Sequence, residues 1–177
     1  MGRPVHLVRR FLGALSPSRP KADDVAWVAT ALTEGELVLW RRLPRHDRRH
    51  SIQVGRDVQA ALAGTEYADD PRWIEAALLH DVGKLDAGLG VLGRVGATLA
   101  GAAAGHDLAE AWSAKRGISR KVGLYLRHPE IGADRIRMSG GSPEAAAWAE
   151  CHQDPDRYAG CGLPPAVVAA LAAADDD

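Results

Sequence analysis

Apolar residues recur along this chain at the three- and four-residue spacing of amphipathic helices, and no stretch alternates apolar and polar residues as a strand would. The pattern predicts helices over residues 24–32, 35–42, 46–63, 71–82, 107–116, 119–126, 130–138, 143–152 and 165–175, with a weaker helical pattern around 89–103. Breaks fall at Pro44, Gly64, Pro71, Gly83, Gly117, Gly140-Gly141 with Pro143, and the stretch from Pro155 to Pro165. Alanine and leucine dominate the segments between them, which favours helix further. The expected fold class is all-α.

Several of these apolar stripes end on a polar residue that faces the same way. In IEAALLHDVGK, Trp73, Ala76 and Ala77 share a face with His80, and Ile74, Ala77 and Leu78 share one with Asp81. His50 opens the stripe of Val54, Val58 and Ala61; read alone, it could equally be a core histidine bonded to a carbonyl. His152 follows Ala145, Trp148 and Ala149, and Asp175 follows Val168, Leu171 and Ala172. His128 precedes Pro129, so it sits at a junction where a new helix begins and can reach inward from there.

Inward carboxylates and imidazoles are costly to bury unless they are paired or coordinate a cation. Four histidines and two aspartates without a thiolate suit manganese, iron, zinc, nickel or cobalt better than calcium or magnesium. Two further histidines read differently. Asp107, after His106, stands three residues before Glu110 in capping-box spacing, which predicts a helix start at that pair. His46 lies one turn before His50 and could be an alternative ligand, an outer partner of His50 or a surface histidine.

The order His50, His80-Asp81, His128, His152, Asp175 resembles the HD-domain superfamily of metal-dependent phosphohydrolases over roughly residues 50–175. LLHDVGK carries the ligand pair with the following glycine and lysine, and HPEIGADRI is similar to the subgroup that binds two metals. CHQDPDRYAGCGLP looks like the matching segment of the HD-GYP phosphodiesterases, although the GYP tripeptide is absent and Cys151 stands where a second histidine is common. The resemblance implies a single-domain helical bundle of HD type. It also implies one or two divalent transition-metal ions on His50, His80, Asp81, His128, His152 and Asp175, with Asp81 bridging two of them. Asp81 and Lys84 are the expected catalytic residues, Lys84 stabilising charge that develops on phosphoryl oxygens. The expected function is hydrolysis of a nucleotide or related phosphate ester by metal-activated water. The alternative is a catalytically silent nucleotide-binding or regulatory module.

The basic run WRRLPRHDRRH makes Arg49 a candidate for binding substrate phosphate, and Arg127 beside His128 is a second; a solvated basic face is the plainer reading of both. With 177 residues, 46% hydrophobic and 25% charged, one domain over 23–177 accounts for the core, preceded by an appendage and linker over 1–22. A formal net charge of -1 gives no global reason to expect a nucleic-acid partner. Two cysteines without a CxxC pair and no typical secretory signal suggest a reduced cytoplasmic protein. The segment PVHLVRRFLGAL could touch a membrane surface but is read as packing on its own domain. The glycine-rich apolar segment 88–105 could be a lid, a partner surface or plain packing.

Overall fold

The computed structural model describes residues 18–176, apart from the side chains of 91 and 100–107. Among them the α-helices are α1 (Ala22–Ala31), α2 (Glu34–Arg41), α3 (Arg45–Leu62), α4 (Arg72–Leu79), α5 (Lys84–Ala87), α6 (Val91–Ser113), α7 (Gly117–Leu126), α8 (His128–Met138), α9 (Pro143–Cys151) and α10 (Pro165–Asp176). A 3-10 turn, Pro155–Gly160, links α9 to α10. There is no strand among the described residues, so the chain is all-α as its periodicity predicts.

Helix α4 lies at the centre, in contact with α1, α2, α3, α9 and α10. Its sequence explains the position. Trp73, Ala76, Ala77, Leu78 and Leu79 are buried together, so the helix is apolar around most of its circumference and has to be enclosed. Val58 of α3, Trp148 of α9 and Leu171 of α10 close over it with no exposed surface. Burial of each such side chain contributes roughly 1.5–3 kcal/mol. Helix α2 starts with a reciprocal cap, in which the Thr33 hydroxyl accepts from the Glu36 amide at 3.4 Å and Glu36 Oε2 accepts from the Thr33 amide at 2.7 Å.

Two boundaries differ from the sequence expectation. Residues 89–116 were expected to hold two helices with a start at His106-Asp107, but the backbone runs as one helix from Val91 to Ser113. Alanine dominates the junction, and each interior glycine costs only about 1 kcal/mol of helix propensity, too little to stop a helix packed along a neighbour. That neighbour is α7, where Gly123 lets the backbones meet; a Cβ there would lie 2.3 Å from the Ser113 nitrogen. The helix expected over 71–82 stops at Leu79, and His80–Gly83 form turns leading into α5.

Helix α6 buries Ala97 and Ala109 and leaves Leu92, Val95 and Leu99 exposed. Among the described residues no helix is long and apolar enough to cross a membrane. Of the expected linker, residues 18–21 precede α1, and the carbonyl of Ser18 accepts from Arg49 of α3. The rest of the appendage, including the segment considered for membrane contact, lies outside the described residues.

One buried pair has no signature in the sequence. Glu36 of α2 and Glu75 of α4 are 2% and 8% exposed, and both face Gly141, where a Cβ would lie 2.8 Å from Glu36 Oε1 and 3.1 Å from Glu75 Oε1. Burial, with the Glu36 carboxylate beside it, pushes the Glu75 pKa up to about 7, although the Ser142 amide donates to its Oε1 at 2.7 Å. The folded state therefore holds this proton more tightly than the unfolded chain, where a glutamate releases it near 4.3. Stability contributed by the protonated form is lost as pH rises from about 4.5 through about 7. Glu75→Gln should therefore match the wild type at pH 5 and exceed it by about 2 kcal/mol at pH 8 in urea denaturation. A difference independent of pH would refute the protonation of Glu75 in the folded state.

Candidate metal centre

The cluster is built at the place where α4 turns into α5. Gly83 sits in that turn at an ordinary φ of -65°, so conformational freedom does not explain it. Space does. A Cβ on Gly83 would lie 2.0 Å from the carbonyl oxygen of His128 and 2.6 Å from the nitrogen of Gly132. Absence of that one carbon lets the turn carrying His80 and Asp81 press against the start of α8, bringing His128 to Asp81.

Asp81 is the hub. Its Oδ1 lies 3.4 Å from His128 Nε2 and 3.5 Å from His152 Nε2, and its Oδ2 lies 3.5 Å from His80 Nε2. On the other side, Asp175 Oδ1 lies 3.0 Å from His50 Nε2 and 3.4 Å from His80 Nε2. The ligand atoms form three overlapping triads: His50, His80 and Asp81; His80, His152 and Asp175; Asp81, His128 and His152. Within each triad they lie within 4.8 Å of one another. All six residues read from the sequence as inward-facing thus meet in space, from α3, the α4–α5 turn, α8, the end of α9 and α10.

Three of the imidazoles are aimed by the same local device. His80 Nδ1 donates to the carbonyl of Ala77 at 2.8 Å, His128 Nδ1 to Tyr125 at 2.6 Å and His152 Nδ1 to Ala149 at 2.8 Å. An imidazole that donates through Nδ1 presents a lone pair at Nε2 when neutral. Each of these Nε2 atoms is buried without a hydrogen-bond partner, and so is Asp81 Oδ1. Buried polar atoms facing one another without water or a hydrogen bond cost several kcal/mol. Divalent cations held in these triads would satisfy them. Ligand atoms roughly 2.0–2.2 Å from a common ion lie about 3.0–3.5 Å apart, which is the separation seen around Asp81 and Asp175. The buried His/Asp groups can therefore hold a metal ion.

The electrostatics agree. Burial acts to raise the Asp81 carboxyl pKa, but the Lys84 ammonium and His80 reverse it and hold the group well below the usual carboxylate range. Burial likewise acts to raise Asp175, and His80 and His50 hold it well below that range. At His80, burial acts downward and the two carboxylates override it, raising its pKa to about 10; burial pushes His128 down to about 4. Two anionic carboxylates in a dry site draw whatever cation is present, whether a proton, an ammonium or a metal. No family model, curated protein or solved structure matches the chain.

The remaining candidates divide. Lys84 Nζ contacts Asp81 Oδ2 within the cluster, buried to 9% exposure. Arg49 lies near His46 at the start of α3. Arg127 turns toward Glu130, at 3.0 Å, and the Ser113 hydroxyl, at 3.3 Å. His46 is not among the converging ligands; its Nε2 lies 3.2 Å from Asp47 Oδ1. Asp47 itself is buried and binds Arg94 of α6 through both oxygens, at 2.7 and 2.8 Å. That pair has no signature in the sequence. Asp47 is hidden inside a run of arginines, and Arg94 reads only as an interruption of an apolar stretch. Outside the ligands, Tyr158 Oη donates to the His152 carbonyl at 2.9 Å, bracing the end of α9.

Proposed function

We propose that the protein is a metal-dependent phosphohydrolase of HD type that cleaves a nucleotide or related phosphate ester. The observation that carries this reading is the set of unpartnered Nε2 atoms of His80, His128 and His152 around the Asp81 carboxylate, all of them buried. The likeness of LLHDVGK and HPEIGADRI to the HD-domain superfamily supports it. Divalent ions bound there would supply Lewis acidity for a phosphoryl oxygen and a hydroxide nucleophile from water at neutral pH.

The chain's own contributions follow from its contacts. His80, His128 and His152 are held with Nε2 toward the cluster by the carbonyls of Ala77, Tyr125 and Ala149, so no rotamer search precedes binding. Asp81 offers one oxygen to each side of the cluster, which fits it to bridge two ions. His50 and Asp175 complete the side farther from α8. Lys84 neutralises part of the Asp81 charge and is near enough to share that role with an incoming phosphoryl group.

A second reading, a silent nucleotide-binding or regulatory module, draws on one observation: the Lys84 ammonium already occupies Asp81 Oδ2. Turnover separates the two. Protein stripped of metal and reloaded with manganese, iron, zinc, nickel or cobalt should hydrolyse members of a nucleotide and phosphodiester panel with at least one ion. Verified metal binding with intact nucleotides across the panel would support the silent module instead.

A further inference from the structure

The site is electrically lopsided. Toward α10 and the 3-10 turn, Tyr158 lies within electrostatic range of the Asp175, Asp176 and Asp154 carboxylates. Toward the start of α3, His46 senses Arg94, Arg49 and Lys84, with Asp47 as the acid among them. Arg94 also feels Asp81 and Tyr125, so its guanidinium stands within electrostatic range of the cluster's hub. Cationic side chains thus gather on the α3–α6 side of the cluster and carboxylates on the α10 side, an arrangement that favours an anion's approach along the former.

Arg94 is built to receive it. Its guanidinium is held by Asp47 through both Nη atoms and by the carbonyl of Leu89 through Nε, at 2.7, 2.8 and 3.2 Å. These three bonds use three of the five N–H donors of a guanidinium, leaving the outer hydrogen on each Nη for another acceptor. The side chain is only 12% exposed, so the fork is both desolvated and oriented. Arg94 also spans a structural gap. Helix α6 packs mainly on α7, and this ion pair ties it to α3 beside the cluster.

We propose that Arg94 is the phosphate anchor of this site, donating from its free Nη hydrogens to a phosphate oxygen of the substrate while Asp47 balances its charge when no substrate is bound. The proposal rests on the phosphohydrolase reading and adds to it a binding residue from a segment outside the ligand motifs. It also predicts a direction: Asp47 lies close to where the anion would sit, so it opposes binding as much as it holds the fork.

The test is calorimetric titration of inorganic phosphate into the metal-loaded full chain, with metal content measured for every variant. Arg94→Gln should weaken phosphate binding about ten- to hundredfold with metal content unchanged. Asp47→Asn breaks the same ion pair but keeps the cation, and it should tighten phosphate binding. Arg72→Gln, which removes an exposed arginine paired with Asp70 and Glu144, should change nothing. Equal weakening by Arg94→Gln and Asp47→Asn would overturn the proposal, because the pair would then act only as a strut holding α6. Undiminished binding in Arg94→Gln would overturn it as well while leaving the phosphohydrolase reading intact. A metal-loaded wild type that binds no phosphate would count against both.

Discussion

Asp81→Asn is expected to lower metal content below one ion per chain and to reduce phosphate-ester hydrolysis by roughly a thousandfold or more. The carboxylate is the residue shared by both sides of the cluster, through Oδ1 toward His128 and His152 and through Oδ2 toward His80. A carboxamide of the same size offers one weak acceptor and no charge. It also leaves the Lys84 ammonium buried without its anion, so the single variant should be less stable than the wild type. The double variant Asp81→Asn, Lys84→Met separates the two effects. It should regain much of the thermal stability and none of the metal. Hydrolysis that survives in either variant at more than a few per cent would remove Asp81 from the mechanism.

Gly83→Ala is expected to cost about 3 kcal/mol, a fall in Tm of roughly 6–12 °C, and to weaken metal binding. The added carbon would sit 2.0 Å from a backbone oxygen, and neither backbone can yield without moving α8 away from the α4–α5 turn. Separation there moves His128 away from Asp81, so the metal loss should follow the stability loss and exceed what helix propensity predicts. Gly96→Ala provides the contrast. Among the described residues no atom outside the helix's own backbone lies within 4 Å of its Cβ position in α6, and alanine is the better helix former, so that variant should be neutral or up to about 1 kcal/mol more stable. Similar melting of Gly83→Ala and wild type would show that the two backbones are not in contact in solution.

How much of this was legible in the sequence follows from what each feature depends on. Five of the six inward-facing residues, His50, His80, Asp81, His152 and Asp175, were legible because each ends or opens an apolar stripe, which is a local property, and His128 because the proline after it marks a helix start. Asp175 illustrates the point: its place after Val168 and Leu171 singles it out from the run of three terminal aspartates, and α10 continues through it. Features that depend on two distant segments were not legible. Nothing in the surroundings of Gly83 announces that a carbonyl 45 residues later will touch it, and its glycine reads as a helix stop. Glu36 and Glu75 each look like solvent-facing acids on amphipathic helices, yet α2 and α4 bury them side by side. Asp47 and Arg94 are separated by the whole α4–α5 region and meet only where the start of α6 returns to α3. In α6 local breaker rules lost to packing against α7.

Six imidazole and carboxylate side chains converge where they can hold divalent cations. Elemental analysis of the purified full-length protein, loaded with manganese or iron and freed of excess ion, tests this most directly. Two ions per chain in the wild type, falling in His128→Ala and in His50→Ala, is the predicted result. A wild type that retains no ion after loading, with its helical fold intact by circular dichroism, would contradict it.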